Sequence, residues 1–313
     1  MNGPDGGRAH PLSISAVERD TGLSKDTLRV WERRYGFPTP ARDALGERVY
    51  AQEQVRRLRV IKRLLDAGHR PGRVLTLPLD ALECLSAAGA GASAQGVDTA
   101  PPAVLAEVVH LVRSHDVLGL RRQLGQALGR LGLSRFVLDV LAPLNTLVGD
   151  AWMRGQMEIF EEHAFTESVQ VVLRGALCGL PEAAPHDRPQ VLLSTLPGEP
   201  HGLGLLMAEA LFAVDGAQCL SLGVQTPVWD IVLAAGAHRA DLVGLSFTGC
   251  MNPNQVVEGL TELRAKLPPA VEIWAGGSAP VLHRRPVAGV TAMSALAEVH
   301  TGLQRWRGTH RPA

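Results

Sequence analysis

No run of about 18 uninterrupted apolar residues occurs in the 313-residue chain, so no segment is suited to cross a bilayer as a helix. The polar, Gly-rich start from Met1 to His10 lacks the apolar core of a secretory signal, and a cytoplasmic location is expected. Four cysteines, Cys84, Cys178, Cys219 and Cys250, lie far apart without a CxxC pair. That spacing argues against a zinc ribbon or a redox couple, and the thiols read as reduced and mostly buried. Net charge is also missing, since 31 basic side chains balance 31 acidic ones. The balance is uneven, however: residues 1–80 hold 15 Lys and Arg against 10 Asp and Glu. A basic excess this small raises nucleic-acid binding only slightly above its base rate.

Large side chains are nearly absent from Ser86 to Ala103, SAAGAGASAQGVDTAPPA, whose one charge is Asp98. It reads as the core of a linker over 78–103, and as a flexible coil its 18 residues would reach about 24 Å. On either side the patterns differ. From 104 to 180, Leu105, Val108, Val112, Leu118, Leu124, Leu128, Leu131, Phe136, Val140, Leu144, Leu147, Val169, Val172, Leu173 and Leu177 recur at helical spacing, which fits a four-helix bundle. After Pro181–Pro189 come short β-rich runs, Val191–Leu196, Gln218–Leu222, Asp241–Phe247, Val271–Ala275 and a weak Gly289–Met293. Stretches of helical length separate the first four, so 188–305 is expected to be a doubly wound, flavodoxin-like α/β domain. No internal repeat is visible, and the tail after Arg284 carries no signal.

Residues 12–77 read as a winged helix-turn-helix. Ser15 with Glu18 makes a capping box for a short helix ending at Thr21-Gly22, and Ser24 caps a second helix from Lys25 to about Tyr35. Leu28, Trp31 and Tyr35 would pack inward, leaving Lys25, Thr27, Arg29, Arg33 and Arg34 for solvent or a major groove. Arg42 to Tyr50 can form a hairpin around Leu45-Gly46, a candidate wing. A third helix carries Val55, Leu58, Ile61 and Leu65 on one side and ends at Gly68. Periodicity alone leaves open a small helical domain with ordinary surface arginines. The segments TGLSKDTLRVWERRYG and ERVY, however, closely resemble the MerR family over about Leu12 to Leu77. By that resemblance the helix from Lys25 is the recognition helix, Arg42, Arg48 and Tyr50 belong to a wing that touches phosphates, and the partner is double-stranded operator DNA. The long dimerising helix of many MerR proteins is missing, so any homo-oligomer is expected to form through the back half.

The first β-run leads into PGEPHGLG, at the turn where doubly wound folds contact their ligands. There His201 could ligate a metal while Glu199 holds its other nitrogen. A lone loop histidine is more often simply solvated. The order ExHxxG, then Ser246-Phe247-Thr248, then Gly276-Gly277 over some 80 residues is much harder to obtain by chance. It resembles the cobalamin-binding domain family, with Glu199 in place of that family's Asp. The resemblance implies a base-off, His-on cofactor with His201 as the lower axial ligand of cobalt, Gly204 of the same loop at the cofactor, and Ser246, Thr248, Gly276 and Gly277 near the nucleotide tail. For the glycines, an ordinary strand-end turn remains the alternative.

In the bundle, Trp152 precedes Glu162-His163 by nine intervening residues, and a turn at Arg154-Gly155-Gln156 could bring the three to one cavity. Trp152 could equally be core, and Glu162-His163 a solvated first turn in which Glu158 and Glu161 favour the helix start. The Wx9EH pattern resembles the CarH/LitR group of cobalamin-dependent regulators over most of the chain. That resemblance implies adenosylcobalamin between Trp152 and His201, no catalysis, DNA binding in the dark and release in light. Photoreceptors of the group can carry a His after the Trp, where this chain has Met153. Since a thioether binds oxidised cobalt much more weakly than imidazole, no stable bis-His adduct is expected after illumination; water, another His such as His163, or loss of the cobalamin is expected instead. A corrinoid methyl carrier, or a regulator that senses cobalamin supply or another tetrapyrrole without light, are the competing readings.

Overall fold

The computed structural model describes residues 11–66, 69–90, 102–153, 156–181, 189–249 and 251–310. The chain forms two compact units that divide near residue 95.

In the N-terminal unit, β1 (Leu12–Ser13) leads into α1 (Ile14–Thr21), and α2 (Lys25–Tyr35) follows a turn through Gly22, whose φ is +69°. Ser24 caps α2 by accepting from the Thr27 amide at 3.1 Å. The capping box expected at Ser15 is not formed. Ser13 caps α1 instead, accepting from the Ala16 amide at 3.3 Å, and Glu18 is drawn away to accept from the Lys25 amide at 3.0 Å. β2 (Ala41–Arg42) and β3 (Arg48–Tyr50) make the hairpin, and β1 pairs antiparallel with β3 on the other side. α3 (Gln52–Asp66) buries Val55, Leu58 and Ile61 in a core with Leu28, Trp31 and Tyr50.

After α4 (Pro71–Val74), residues Leu79–Ala90 form helix α5, which corrects the expectation of a linker from residue 78. Leu82 is fully buried and Leu79 and Leu85 pack on the same core. Alanine, which gives an unstructured look to SAAGA, is also the best helix former, so a helix anchored by leucines runs on through it. Residues 91–101 of the expected linker and Gly68 lie outside the described residues.

The second unit opens with the bundle: α6 (Pro102–Arg113), α7 (Val117–Leu131), α8 (Leu133–Arg135), which passes through a π-helical turn at Phe136–Leu141 into α9 (Ala142–Met153), and α10 (Ile159–Cys178). The acidic start of α10 is a true capping box, in which the Glu161 carboxylate accepts from the Glu158 amide at 2.7 Å. The α/β part then alternates β4 (Gln190–Ser194), α11 (Leu203–Val214), β5 (Gln218–Ser221), α12 (Val228–Ala237), β6 (Leu242–Phe247), α13 (Pro253–Lys266), β7 (Glu272–Gly277), α14 (Val281–Arg284), β8 (Val290–Met293) and α15 (Glu298–Thr309). Its five strands are parallel in the order β5-β4-β6-β7-β8, the flavodoxin-like winding.

The bundle and the α/β part, read from sequence as successive modules, share one continuous core. Phe136, Phe165 and Leu173 of the bundle belong to the same buried cluster as Leu206, Phe212 and Trp274, and α10 packs on α11. The tail after Arg284, silent in the sequence, closes this core through Leu303 and Trp306 of α15. The thiols differ from expectation: Cys84 and Cys178 are exposed because they fall on outward helix positions, Cys219 is half-buried, and Cys250 lies outside the described residues.

Candidate functional site

A parallel sheet whose strand order reverses leaves a crevice at the carboxyl ends of the strands on either side of the reversal. Here those strands are β4 and β6. The loop after β4 turns sharply at Gly198, φ +90°, and carries Glu199 and His201 to the crevice.

Glu199 is fully buried, yet its carboxylate accepts hydrogen bonds from donors suited to the ionised form. Oε1 accepts from His201 Nδ1 at 2.6 Å, and Oε2 accepts from the Thr248 amide at 2.7 Å and from Thr248 Oγ1 at 2.8 Å. Burial pushes the Glu199 pKa up, but the bonds from His201 and Thr248 outweigh it and hold the carboxyl below its ordinary range. An ionised Glu199 takes the proton on Nδ1, so in the neutral ring the lone pair sits on Nε2. The His201 side chain is 52% exposed, so a metal can approach the ring from the crevice. A buried carboxylate that orients a half-exposed imidazole leaves a ring nitrogen suited to donate to the metal of such a cofactor. The residues therefore fit the group.

The other candidates of the α/β part gather around this pair. Ser246 and Thr248 sit at the end of β6, and Ser246 and Phe247 pair in register with Gly276 and Gly277 of β7. Gly277 has φ +116°, and a Cβ there would collide with the Phe247 carbonyl oxygen, so only glycine allows the two strand ends to close together. A Cβ on Gly204 would come within 2.9 Å of Ser246 Oγ, so glycine lets the first turn of α11 approach β6.

In the bundle, Trp152 lies half-buried at the end of α9, and Glu162 and His163 lie in the first turn of α10. Glu162 accepts from Thr166 Oγ1 at 2.7 Å and His163 Nε2 lies 3.6 Å from its Oε2, so the two behave as neighbours on a partly solvated helix start. The side chain of Met153 and residues 154–155 lie outside the described residues.

On the N-terminal unit, Arg29, Arg33 and Arg34 are exposed along α2, Lys25 and Thr27 are half-buried at its start, and Arg42 is exposed on the hairpin. Lys25 Nζ lies 3.7 Å from Glu18, Arg29 pairs with Asp26 at 3.1 Å, and Arg42 Nη1 donates to the Gly46 carbonyl at 2.6 Å. One wing residue is placed in the core, and a second is tethered. Tyr50 is fully buried, with a hydroxyl that finds no partner among the described residues, so it belongs to the core. Arg48 is held by Glu32 of α2, with Nε donating at 2.9 Å. Both follow from the pleat: residues 48 and 50 share one face of β3, and that face turns toward α2 rather than outward.

Sequence reasoning missed Thr195, fully buried beside the site with its hydroxyl donating to the Glu199 carbonyl at 2.6 Å. A hydroxyl at the end of an otherwise apolar strand was the available signal. Glu32, which fastens the hairpin to α2, had none.

Comparison with known proteins places a MerR HTH family regulatory protein model on residues 12–75 and a B12 binding domain model on 104–174. The chain is 32% identical to the HTH-type transcriptional repressor CarH of Myxococcus xanthus, over 88% of this chain and 91% of that protein. To the HTH-type transcriptional repressor CarA of the same organism it is 29% identical, over 82% and 84%. Among solved structures, the monomethylamine corrinoid protein of Methanosarcina barkeri matches 64% of this chain and 96% of its own, with a TM-score of 0.51 at 15% identity, a likeness of fold.

Proposed function

The chain belongs to the family of HTH-type transcriptional repressors that includes CarH, and from that premise we propose that it represses transcription by binding operator DNA in a cobalamin-dependent way. The observation that carries the cofactor reading is the Glu199–His201 pair, a buried carboxylate 2.6 Å from Nδ1 of a half-exposed imidazole. His201 would hold cobalt from below through Nε2, in the base-off, His-on mode. Gly204, Ser246, Thr248, Gly276 and Gly277 would line the path of the nucleotide tail, where glycines permit close backbone approach. Trp152, Glu162 and His163 would cover the upper face. When bound, adenosylcobalamin supplies a cobalt–carbon bond that visible light breaks, which makes light the proposed signal.

DNA recognition belongs to α2 and the hairpin. Arg29, Arg33, Arg34 and Arg42 are exposed cations on elements that a major groove and its flanking phosphates accommodate. One such unit makes few contacts, so operator affinity would come from a homo-oligomer held together by the cofactor-binding unit, in the cytoplasm where the DNA lies. Among the described residues no helix is long and apolar enough to cross a membrane.

The test is a visible spectrum of protein loaded with adenosylcobalamin in the dark, with an operator shift assay on the same sample. Loading with a His-on spectrum and operator binding that depends on loading support the proposal. Operator binding that is indifferent to cobalamin overturns it.

A further inference from the structure

Five residues between β5 and α12, Gly223–Pro227, belong to none of the motifs above, yet the buried hydroxyls of Ser194 and Thr195 bind them to the end of β4. Thr195 Oγ1 has one proton, which it donates to the Glu199 carbonyl at 2.6 Å, and it accepts from the Gln225 amide at 2.8 Å. Its own carbonyl accepts from the Thr226 amide at 3.0 Å. Next to it, Ser194 Oγ meets Thr226 Oγ1 at 2.8 Å and the Gly223 carbonyl at 3.2 Å. Ser194 and Thr195 are both fully buried. A single buried hydroxyl thus joins the loop that bears His201 to the loop that bears Gln225.

The second loop also touches the first directly. A Cβ on Gly202 would come within 2.9 Å of Val224 Cγ1, so Val224 packs against the residue that follows His201. Gln225 has φ +57°, a left-handed conformation that a non-glycine residue keeps only where its surroundings impose it. Held in this way, the loop leaves Val224 41% exposed and presents the carboxamide of Gln225 to solvent. An apolar side chain is thus set against the His201 loop, and an exposed residue with an amide that both donates and accepts follows it. The rim of a corrin ring alternates methyl groups with amide arms, and those two side chains complement it.

We propose that Gly223–Pro227 is a second wall of the corrinoid cradle, with Val224 and Gln225 contacting the ring's rim and Thr195 as the positioning residue that locks this wall to the His201 loop. The wall presupposes the corrinoid reading above, whereas the hydroxyl network does not, and experiment can separate the two.

Hydrogen–deuterium exchange on the full-length protein without cofactor tests the network. T195V removes the hydroxyl at nearly constant shape and should speed exchange in both 197–203 and 223–227, while T195S restores protection. Faster exchange in one loop alone, or in neither, overturns the role of Thr195. Titration with adenosylcobalamin in the dark, followed by the visible spectrum, tests the wall. T195V and the double variant V224S/Q225A should each weaken uptake by about three- to tenfold, and T195V should also reduce the His-on signature, with T195S restoring it. V224S/Q225A alters two exposed side chains and should keep the melting temperature of the unloaded protein, so a fall in affinity there reports contact. Wild-type affinity in V224S/Q225A overturns the wall alone. A wild-type protein that takes up no cobalamin overturns the corrinoid reading and the wall together.

Discussion

Taking a carboxylate fully out of water costs several kcal/mol in an apolar setting, by order of magnitude, unless donors replace the lost hydration. Around Glu199 the replacements are His201 Nδ1 and the amide and hydroxyl of Thr248, all within 3.0 Å of its oxygens. A folded pKa below the unfolded value means that ionised Glu199 stabilises the fold at neutral pH, and that this contribution is lost as pH falls through the lowered value. Glu199→Gln should therefore destabilise by roughly 1–3 kcal/mol at neutral pH. The difference in melting temperature between variant and wild type should shrink as pH drops below the usual glutamate range. A gap that stays constant into acid would show that the charge contributes nothing. His201→Ala should leave the fold intact, weaken cobalamin retention and remove the His-on spectrum. An unchanged spectrum and affinity would remove His201 from the axial position. Glu199 and His201 were legible in the sequence because a loop after the first strand can hold few things with ExHxxG spacing. Thr195 was not, because its importance lies in what its hydroxyl bridges across some 30 residues of chain.

At the scale of elements, α2 and its hairpin divide the labour differently from the sequence reading. The helix was legible down to its cap at Ser24, since a hydroxyl residue before a run of helical spacing has a local cause. The hairpin was legible as a turn, but not which face of β3 points inward, because three residues are too short to display an alternation. Similarly, α5 was hidden by alanines that favour helix as strongly as they suggest a linker. The β-runs of the second unit gave no such trouble: the apolar runs of β4, β6 and β7 match strands buried on both faces, and the observed ends of all five shift by at most two residues. Two outcomes follow for the DNA-facing elements. Replacing Arg33 and Arg34 together with Ala should cost about 1–3 kcal/mol for any contact that reads a base, with a smaller, less selective loss if only phosphates are touched. A shift assay at wild-type affinity would take both off the recognition surface. Tyr50→Phe removes a buried hydroxyl that has no partner among the described residues, so operator affinity should not change and stability should hold or rise slightly. A clear loss of DNA affinity in that variant would return Tyr50 to the interface.

For the whole molecule, the question is how a change at a small cofactor site could reach DNA. The bundle helices and the sheet share one buried cluster, with α10 seated on α11. A packed core does not deform continuously, so loss of the group proposed to lie under Trp152 would be taken up as a shift of elements against one another. If an interface between copies lies on this unit, the shift changes how many DNA-binding units are held together. Operator binding then falls by the lost effective concentration, far more than any one contact contributes. We therefore expect adenosylcobalamin-loaded protein to elute as an oligomer that binds operator in the dark. After green light it should elute as a smaller species with weakened binding and no stable bis-His spectrum, since Met153 follows Trp152. Size-exclusion chromatography and a shift assay on the same sample, before and after illumination, decide the matter. Identical elution with unchanged operator binding would reject light as the signal and leave a repressor that responds to the supply of cobalamin itself.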